Sequence, residues 1–254
     1  MVQKWPDYMW LVRHGESAGN VASAAAEAAG ALAVELPHRD CDVPLSPLGE
    51  RQAAALGRWL GALDAGARPT VVLTSPYVRA RRTAEIALAA AGLGPEDVEL
   101  YRDERLRERE FGIFDRLTKA GAYEKYPGQA EAATTLGKFY FRPPGGESWC
   151  DVILRLRNVI DTITRDFRRE RVLVFAHSAV IFCFCYLLEN MTEEQVLRAD
   201  RELDVANCGV TTYEFDPRLG VNGRLALRSF NFVAPLEETG TPVTTARDVP
   251  VGAK

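Results

Sequence analysis

The apolar run Tyr8-Met9-Trp10-Leu11-Val12 breaks off abruptly at Arg13-His14-Gly15-Glu16-Ser17. A stretch of that length and hydrophobicity reads as a buried strand, and its end delivers a cation and an imidazole to a loop. Open α/β sheets build their sites at the carboxyl ends of strands. Arginine offers a planar fork for phosphate oxygens. A neutral imidazole is a nucleophile near pH 7 and can attack phosphorus. Glycine lets the backbone turn tightly and come close to a ligand.

The rest of the chain bounds what such a strand end belongs to. Its 254 residues suit one large α/β domain or two small ones, and 47% hydrophobic with 26% charged residues supports a full core. A net charge of -4 argues against a general nucleic-acid binder, although it permits a locally cationic pocket. No run is long enough to span a bilayer, and Met1-Val2-Gln3-Lys4-Trp5-Pro6-Asp7 lacks the apolar core of a signal peptide. Cys41, Cys150, Cys183, Cys185 and Cys208 are odd in number and form no C-x-x-C pair. They read as reduced thiols of a cytoplasmic protein, with no disulfide framework, no structural zinc and no other metal or cofactor site.

Strand and helix signals alternate along the chain. Val21 to Val34 is Ala-rich with little amphipathic order, which suggests a helix or lid segment inserted over the site. Ser46-Pro47-Leu48-Gly49-Glu50 reads as an N-cap, a first-turn proline and a capping box, opening a helix to about Leu63. Ala53, Leu56, Trp59 or Leu60, and Leu63 would form its buried face. Thr70–Thr74 is a strand, and Ser75-Pro76 should open a second helix, to about Ala90, in the same way. Residues 97–101 read as a short third strand. Residues 112–146 mix Gly, Pro and aromatics without one period and read as a cap. Glu147–Arg169 is a long amphipathic helix, Arg171–Ala176 a strand ending in His177, and Val180–Leu188 an apolar helix. Val210–Phe215 and Leu225–Phe232 alternate as late strands. Together these predict a three-layer α/β/α sandwich with a mostly parallel sheet. Residues 1–236 would form a single catalytic domain, with lid segments at about 21–40 and 112–146 and an irregular tail over 237–254.

Two predicted strands therefore end in histidine, His14 and His177. A sheet that brings their carboxyl ends to one edge sets the imidazoles side by side, within about 8 Å if they share a phosphate. Arg79, one turn into the helix after Thr74-Ser75, can reach the same edge.

At this point the chain resembles the histidine phosphatase superfamily, in its phosphoglycerate mutase-like branch. The matching stretches are Arg13–Asn20, Asp42–Ala53, Thr74–Ala84, Leu106–Gly112, Gly146-Glu147-Ser148 and Phe175-Ala176-His177, in the family's order. The resemblance implies that His14 is the nucleophile that becomes phosphohistidine. It further implies that Arg13, Arg79 and His177 clamp the phosphoryl oxygens, that Glu108 is the proton donor and that Asn20 lines the pocket. The residue types suit the chemistry, because phosphoryl transfer spreads charge over three oxygens and rewards cationic positioning without requiring a metal. On spacing alone Glu110 competes with Glu108, and only the resemblance chooses between them. Glu16 reads as structural, since another carboxylate against the phosphate would repel it.

The chain departs from the family pattern in places. Ser178 follows His177 where the family usually has Gly and offers an additional hydroxyl to the substrate. Arg82 replaces a common Gln and adds a cation near the pocket, and Asp115-Arg116 replaces the usual Glu-Gly. The segment 128–144 lacks the arginine pair with which glycolytic mutases hold a phosphoglycerate carboxylate. The reading is therefore a phosphomonoester hydrolase acting on a small phosphorylated substrate, with no nucleic-acid or membrane partner and with a homodimer left open. The alternatives are a cofactor-dependent phosphoglycerate mutase and, ranked lower, an inactive phosphate-binding or scaffold protein.

Overall fold

The computed structural model describes residues 3–245. Among these the strands are β1 (Tyr8–Arg13), β2 (Val71–Thr74), β3 (Glu99–Arg102), β4 (Arg171–Ala176), β5 (Val210–Asp216) and β6 (Arg224–Phe232). The helices are α1 (Ala18–Ala28), α2 (Pro47–Ala62), α3 (Val78–Ala91), α4 (Lys119–Lys125), α5 (Pro127–Tyr140), α6 (Trp149–Asp166), α7 (Ser178–Leu188), α8 (Glu193–Glu202) and α9 (Ala234–Glu237). The strands form one sheet in the order β3-β2-β4-β1-β5-β6. β3, β2, β4 and β1 run parallel to their neighbours, and β5 and β6 are added antiparallel. This is the mostly parallel α/β architecture that the sequence predicts.

Side chains alternate across the central strands, so one strand feeds two cores. Met9, Leu11, Val172 and Val174 point into a cluster with Trp149, Val152, Leu156, Ile181 and Phe184 of α6 and α7. Trp10, Val12, Leu173 and Phe175 point into the opposite cluster with Ala53, Leu56, Leu60, Ala84 and Ala87 of α2 and α3. Burial on both faces explains why β1 and β4 read as continuous apolar runs. A third, small core of Phe114, Leu117, Ala122, Ala133 and Phe141 belongs to the cap.

Local chemistry sets the boundaries and corrects several expectations. Ser46 caps α2 by accepting from the Gly49 N–H, but N3 is Gly49, so Glu50 forms no capping box. Leu60 takes the buried position, with Trp59 and Leu63 only partly buried. Ser75 does not cap α3. That helix starts at Val78 after Tyr77, and the Ser75 hydroxyl lies 2.8 Å from His177 Nε2 while also accepting the Tyr77 N–H at 3.3 Å. The Ala-rich segment is helical only to Ala28, beginning under a Ser17–Asn20 capping box. Residues 31–34 then join the cap, where the Thr118 N–H donates to the Leu32 carbonyl and the Val34 N–H to the Arg116 carbonyl. α8 was not anticipated, although Thr192 and Gln195 form a reciprocal capping box. As far as residue 245 the predicted tail is hydrogen-bonded to the body of the fold. Gln52 Nε2 donates to the Pro242 carbonyl and to Thr244 Oγ1, and the Asn207 N–H donates to the Thr244 carbonyl. The rest of the predicted tail lies outside the described residues.

Candidate active site

β1 and β4 lie side by side with Arg13 opposite Ala176, and the His14 N–H donates to the Ala176 carbonyl at 3.0 Å. The next side chains are therefore neighbours. The rings of His14 and His177 are both buried, with centroids 5.2 Å apart and planes at 62°. That is well inside the separation a shared phosphate allows.

His14 is held in a defined state. Its Nδ1 lies 2.7 Å from the Gly15 carbonyl oxygen. A carbonyl only accepts, so Nδ1 bears the hydrogen and the neutral ring keeps its lone pair on Nε2. The surrounding backbone is fixed too. The Gly15 N–H donates to Thr83 Oγ1 at 2.9 Å, and Asn207 Nδ2 donates to the His14 carbonyl at 2.9 Å. A Cβ on Gly15 would stand 2.5 Å from the Gly49 carbonyl oxygen, so the loop after β1 is wedged against the start of α2. Glu16 belongs to the same wedge. It accepts from Ser46 Oγ at 2.6 Å, and its N–H donates to Gln52 Oε1.

His177 approaches a carboxylate. Its Nε2 is 2.8 Å from Ser75 Oγ and its Nδ1 is 3.9 Å from Glu108 Oε2. Glu108 is 1% exposed, and its Oε1 accepts the Arg109 N–H at 2.8 Å. The Glu108 loop is braced from α6, where Arg155 donates to the Glu108 carbonyl and pairs with Glu147. Glu110 faces elsewhere: it accepts from Tyr77 OH at 2.7 Å and is 45% exposed. The two acids that spacing alone left open are thus in different places. Burial, reinforced by that carboxylate, pushes the Tyr77 phenol far above its ordinary range.

Arg79 is nearly buried. Its guanidinium lies over the Tyr77 ring, 5.0 Å from the centroid, and the same ring sits 5.3 Å from that of His177. Arg13 is 1% exposed, and one Nη1–H donates to the Val205 carbonyl at 2.7 Å. Asn20 accepts from the Ser17 N–H at 3.0 Å, and its side chain borders a cleft. That cleft is lined by Asn20, Asp40, Arg79, Glu108, Phe111 and Asp115, among others. Glu108 links it to the histidine pair. A larger open depression along the β3 edge, lined by Thr70, Glu99 and Asp103 among others, holds neither histidine.

Not every sequence expectation reaches this place. Ser178 is the first residue of α7 and half-buried, and like Arg13, His14 and His177 it lies beside the lining of the cleft rather than in it. Arg82 turns to Glu85 on the exposed side of α3, 2.7 Å away, instead of adding charge to the cleft. In the 128–144 segment, Lys138 pairs with Asp200 and Arg142 with Asp151. Sequence reasoning missed Ser75, Tyr77, Asn207 and Asp40. Ser75 had a signal in its place at the end of β2, whereas Asp40 had none.

The arrangement of an arginine-histidine strand end, a second histidine on the adjacent strand and a buried glutamate has counterparts. Residues 9–226 match the model of the histidine phosphatase superfamily (branch 1). The chain belongs to that family. Among its curated relatives, the 2,3-bisphosphoglycerate-dependent phosphoglycerate mutase of Rhizobium meliloti is 32% identical over 190 residues, 74% of this chain and 82% of that protein. The same-named protein of Parvibaculum lavamentivorans is 30% identical over 218 residues, 85% of this chain and 94% of that one. Among solved structures, mycobacterial glucosyl-3-phosphoglycerate phosphatase with VO3 superposes with a TM-score of 0.65 at 25% identity, covering 89% of this chain and 100% of that one. The alpha-ribazole phosphatase of Shigella flexneri shares the fold, with a TM-score of 0.67 at 20% identity over 88% and 96% of the two chains. Among the described residues no helix is long and apolar enough to cross a membrane. No group of three or more His, Cys, Asp or Glu side chains there is placed to hold a metal.

Proposed function

We propose that this histidine phosphatase-family protein is a phosphomonoester hydrolase that works without metal through a phosphohistidine on His14. The observation that carries the reading is the state of His14, whose Nδ1 hydrogen is committed to the Gly15 carbonyl so that Nε2 is the nucleophilic nitrogen, with a second imidazole 5.2 Å away. In the first step Nε2 attacks phosphorus and the bond to the ester oxygen breaks. Glu108, protonated, gives that oxygen its proton as the alcohol leaves. In the second step a water attacks phosphorus while Glu108 takes back a proton, the nitrogen–phosphorus bond breaks, and phosphate departs. Arg13, Arg79 and His177 act on the three spreading oxygen charges, and Asn20 contributes to the pocket wall. Ser178, next to His177 at the first position of α7, offers its hydroxyl to the same phosphoryl oxygens.

A mutase reading is favoured by the names of the curated relatives at 30–32% identity. It would use the same His14 chemistry but return the phosphoryl group to a second hydroxyl. Against it stand Lys138 and Arg142, the two basic residues of the 128–144 segment, each engaged by an aspartate. The test is a phosphate-release assay with p-nitrophenyl phosphate and small alkyl phosphates, run beside a mutase assay with 3-phosphoglycerate and catalytic bisphosphoglycerate, both with and without EDTA. Phosphate release insensitive to EDTA supports the hydrolase. Rapid isomerisation with negligible release would assign the mutase.

A further inference from the structure

The cleft that leads to Glu108 carries a carboxylate where a phosphatase needs a reason for one. Asp40 sits in the short 3-10 turn Asp40–Asp42 of the loop between α1 and α2. Arg79 Nη1 donates to the Asp40 backbone carbonyl at 2.6 Å and to its Oδ1 at 3.0 Å, and Nη2 reaches Oδ2 at 3.3 Å. The pairing is the two-pronged contact by which a guanidinium recognises planar anions. Arg79 is 4% exposed and Asp40 38%, so the acid stands on the solvent side of the arginine.

Resting on the phosphatase reading above, we propose that Asp40 is a specificity-determining residue, selecting phosphomonoesters whose leaving group is neutral and hydroxylated and rejecting those that carry a carboxylate. With a phosphoryl group on Arg79 and its ester oxygen toward Glu108, the leaving group extends into the cleft bordered by Asp40, Asp115, Phe111, Val34 and Leu36. A hydroxyl there can donate to Asp40, whereas a carboxylate meets like charge in a partly buried place. Asp115 acts in the same sense. Its carboxyl is pushed above the ordinary carboxylate value, first by burial and then by the charge of Asp40, so the two acids are in electrostatic reach of each other. Arg116 lines the same cleft, but its two Nη groups donate to the Leu36 and His38 carbonyls and its Nε is 3.8 Å from Asp115. Those bonds brace the loop that carries Asp40, and the acid nearest its charge is Asp115.

Glycerol 3-phosphate and 3-phosphoglycerate test this directly, because they differ only in a hydroxymethyl group against a carboxylate. The wild-type protein should favour glycerol 3-phosphate in kcat/KM by about tenfold or more, the size of one moderately screened charge pair. Asp40→Asn keeps the backbone contact to Arg79 and an amide oxygen for it, and should narrow that ratio by about tenfold, chiefly by improving 3-phosphoglycerate. Any general effect of loosening Arg79 changes both esters alike and cancels in the ratio. Asp115→Asn, on a different element, should narrow it in the same direction by a smaller factor, and it decides the matter if Asp40→Asn folds poorly. A ratio unmoved in both variants, with glycerol 3-phosphate still hydrolysed, overturns the selectivity and reduces Asp40 to a tether. No phosphate release from either ester by the wild type would instead overturn the phosphatase reading on which the proposal rests.

Discussion

Replacing Glu108 by Gln separates proton donation from every other service this side chain performs. The amide has the same shape, and its oxygen can still accept the Arg109 N–H that Oε1 accepts at 2.8 Å. The side chain is 1% exposed. What disappears is an acidic hydrogen at Oε2, the oxygen 3.9 Å from His177. Loss of a general acid costs about 10²- to 10⁴-fold in rate, or roughly 2.7–5.4 kcal/mol of barrier at about 1.36 kcal/mol per decade. The penalty should fall on alkyl phosphates, whose alkoxide cannot leave unprotonated. With p-nitrophenyl phosphate, whose leaving group needs little protonation, single-turnover phosphorylation should slow far less. Glu110→Gln is the control, because its amide can still accept from Tyr77 OH, and neither ester should respond appreciably. Stopped-flow and steady-state release of alcohol and phosphate from both esters give the comparison. Equal losses on the two esters would show that Glu108 is not the acid, and a leaving-group-dependent loss in Glu110→Gln would move that role two residues along.

Two further outcomes concern the frame around the site. A Cβ on Gly49 would stand 2.0 Å from the Glu16 carbonyl oxygen, so Gly49→Ala should cost about 1–3 kcal/mol or more in urea unfolding and loosen the His14 loop. An unchanged midpoint would mean that the wedge between Glu16 and α2 is not rigid. Asp151 caps α6, and its carboxyl is held well below the usual carboxylate range, chiefly by Arg142 and then by Ser148, against an opposing burial effect. A depressed folded pKa contributes stability that is complete above the unfolded value of about 4 and is lost as pH falls below it. The stability gap between wild type and Asp151→Asn, measured by urea midpoints, should therefore be widest near neutrality and close steadily below about pH 4.

Much of this was legible because the sheet is buried on both sides. Continuous apolar strands announce themselves, and β1 and β4 are each followed at once by a residue that burial alone would not select, His14 and His177. Single-residue chemistry was less legible. Glu108 and Glu110 are two apart in a segment with no period, and only the fold sends one toward His177 and the other toward Tyr77. Ser75-Pro76 carries the same cap signal as Ser46-Pro47. The Ser75 hydroxyl instead accepts the Tyr77 N–H and meets His177, a tertiary partner that no local rule sees. The cap resisted a reading because its core takes single residues from short, separate pieces, Phe114, Leu117, Ala122 of α4, Ala133 of α5 and Phe141, and because Gly137, at φ 76°, breaks α5 internally. Asp40 was invisible for a different reason, since an exposed acid in a turn looks like solvated charge until Arg79 is seen beside it.

The central claim is that the phosphoryl group passes through His14. The most direct measurement is rapid acid-free quench of the protein with a labelled phosphomonoester, followed by peptide mapping of the label. An acid-labile, base-stable phosphoramidate should appear on the peptide containing His14 and be absent from a folded but inactive His14→Ala variant. Label on any other residue, or undiminished turnover in His14→Ala, would contradict it.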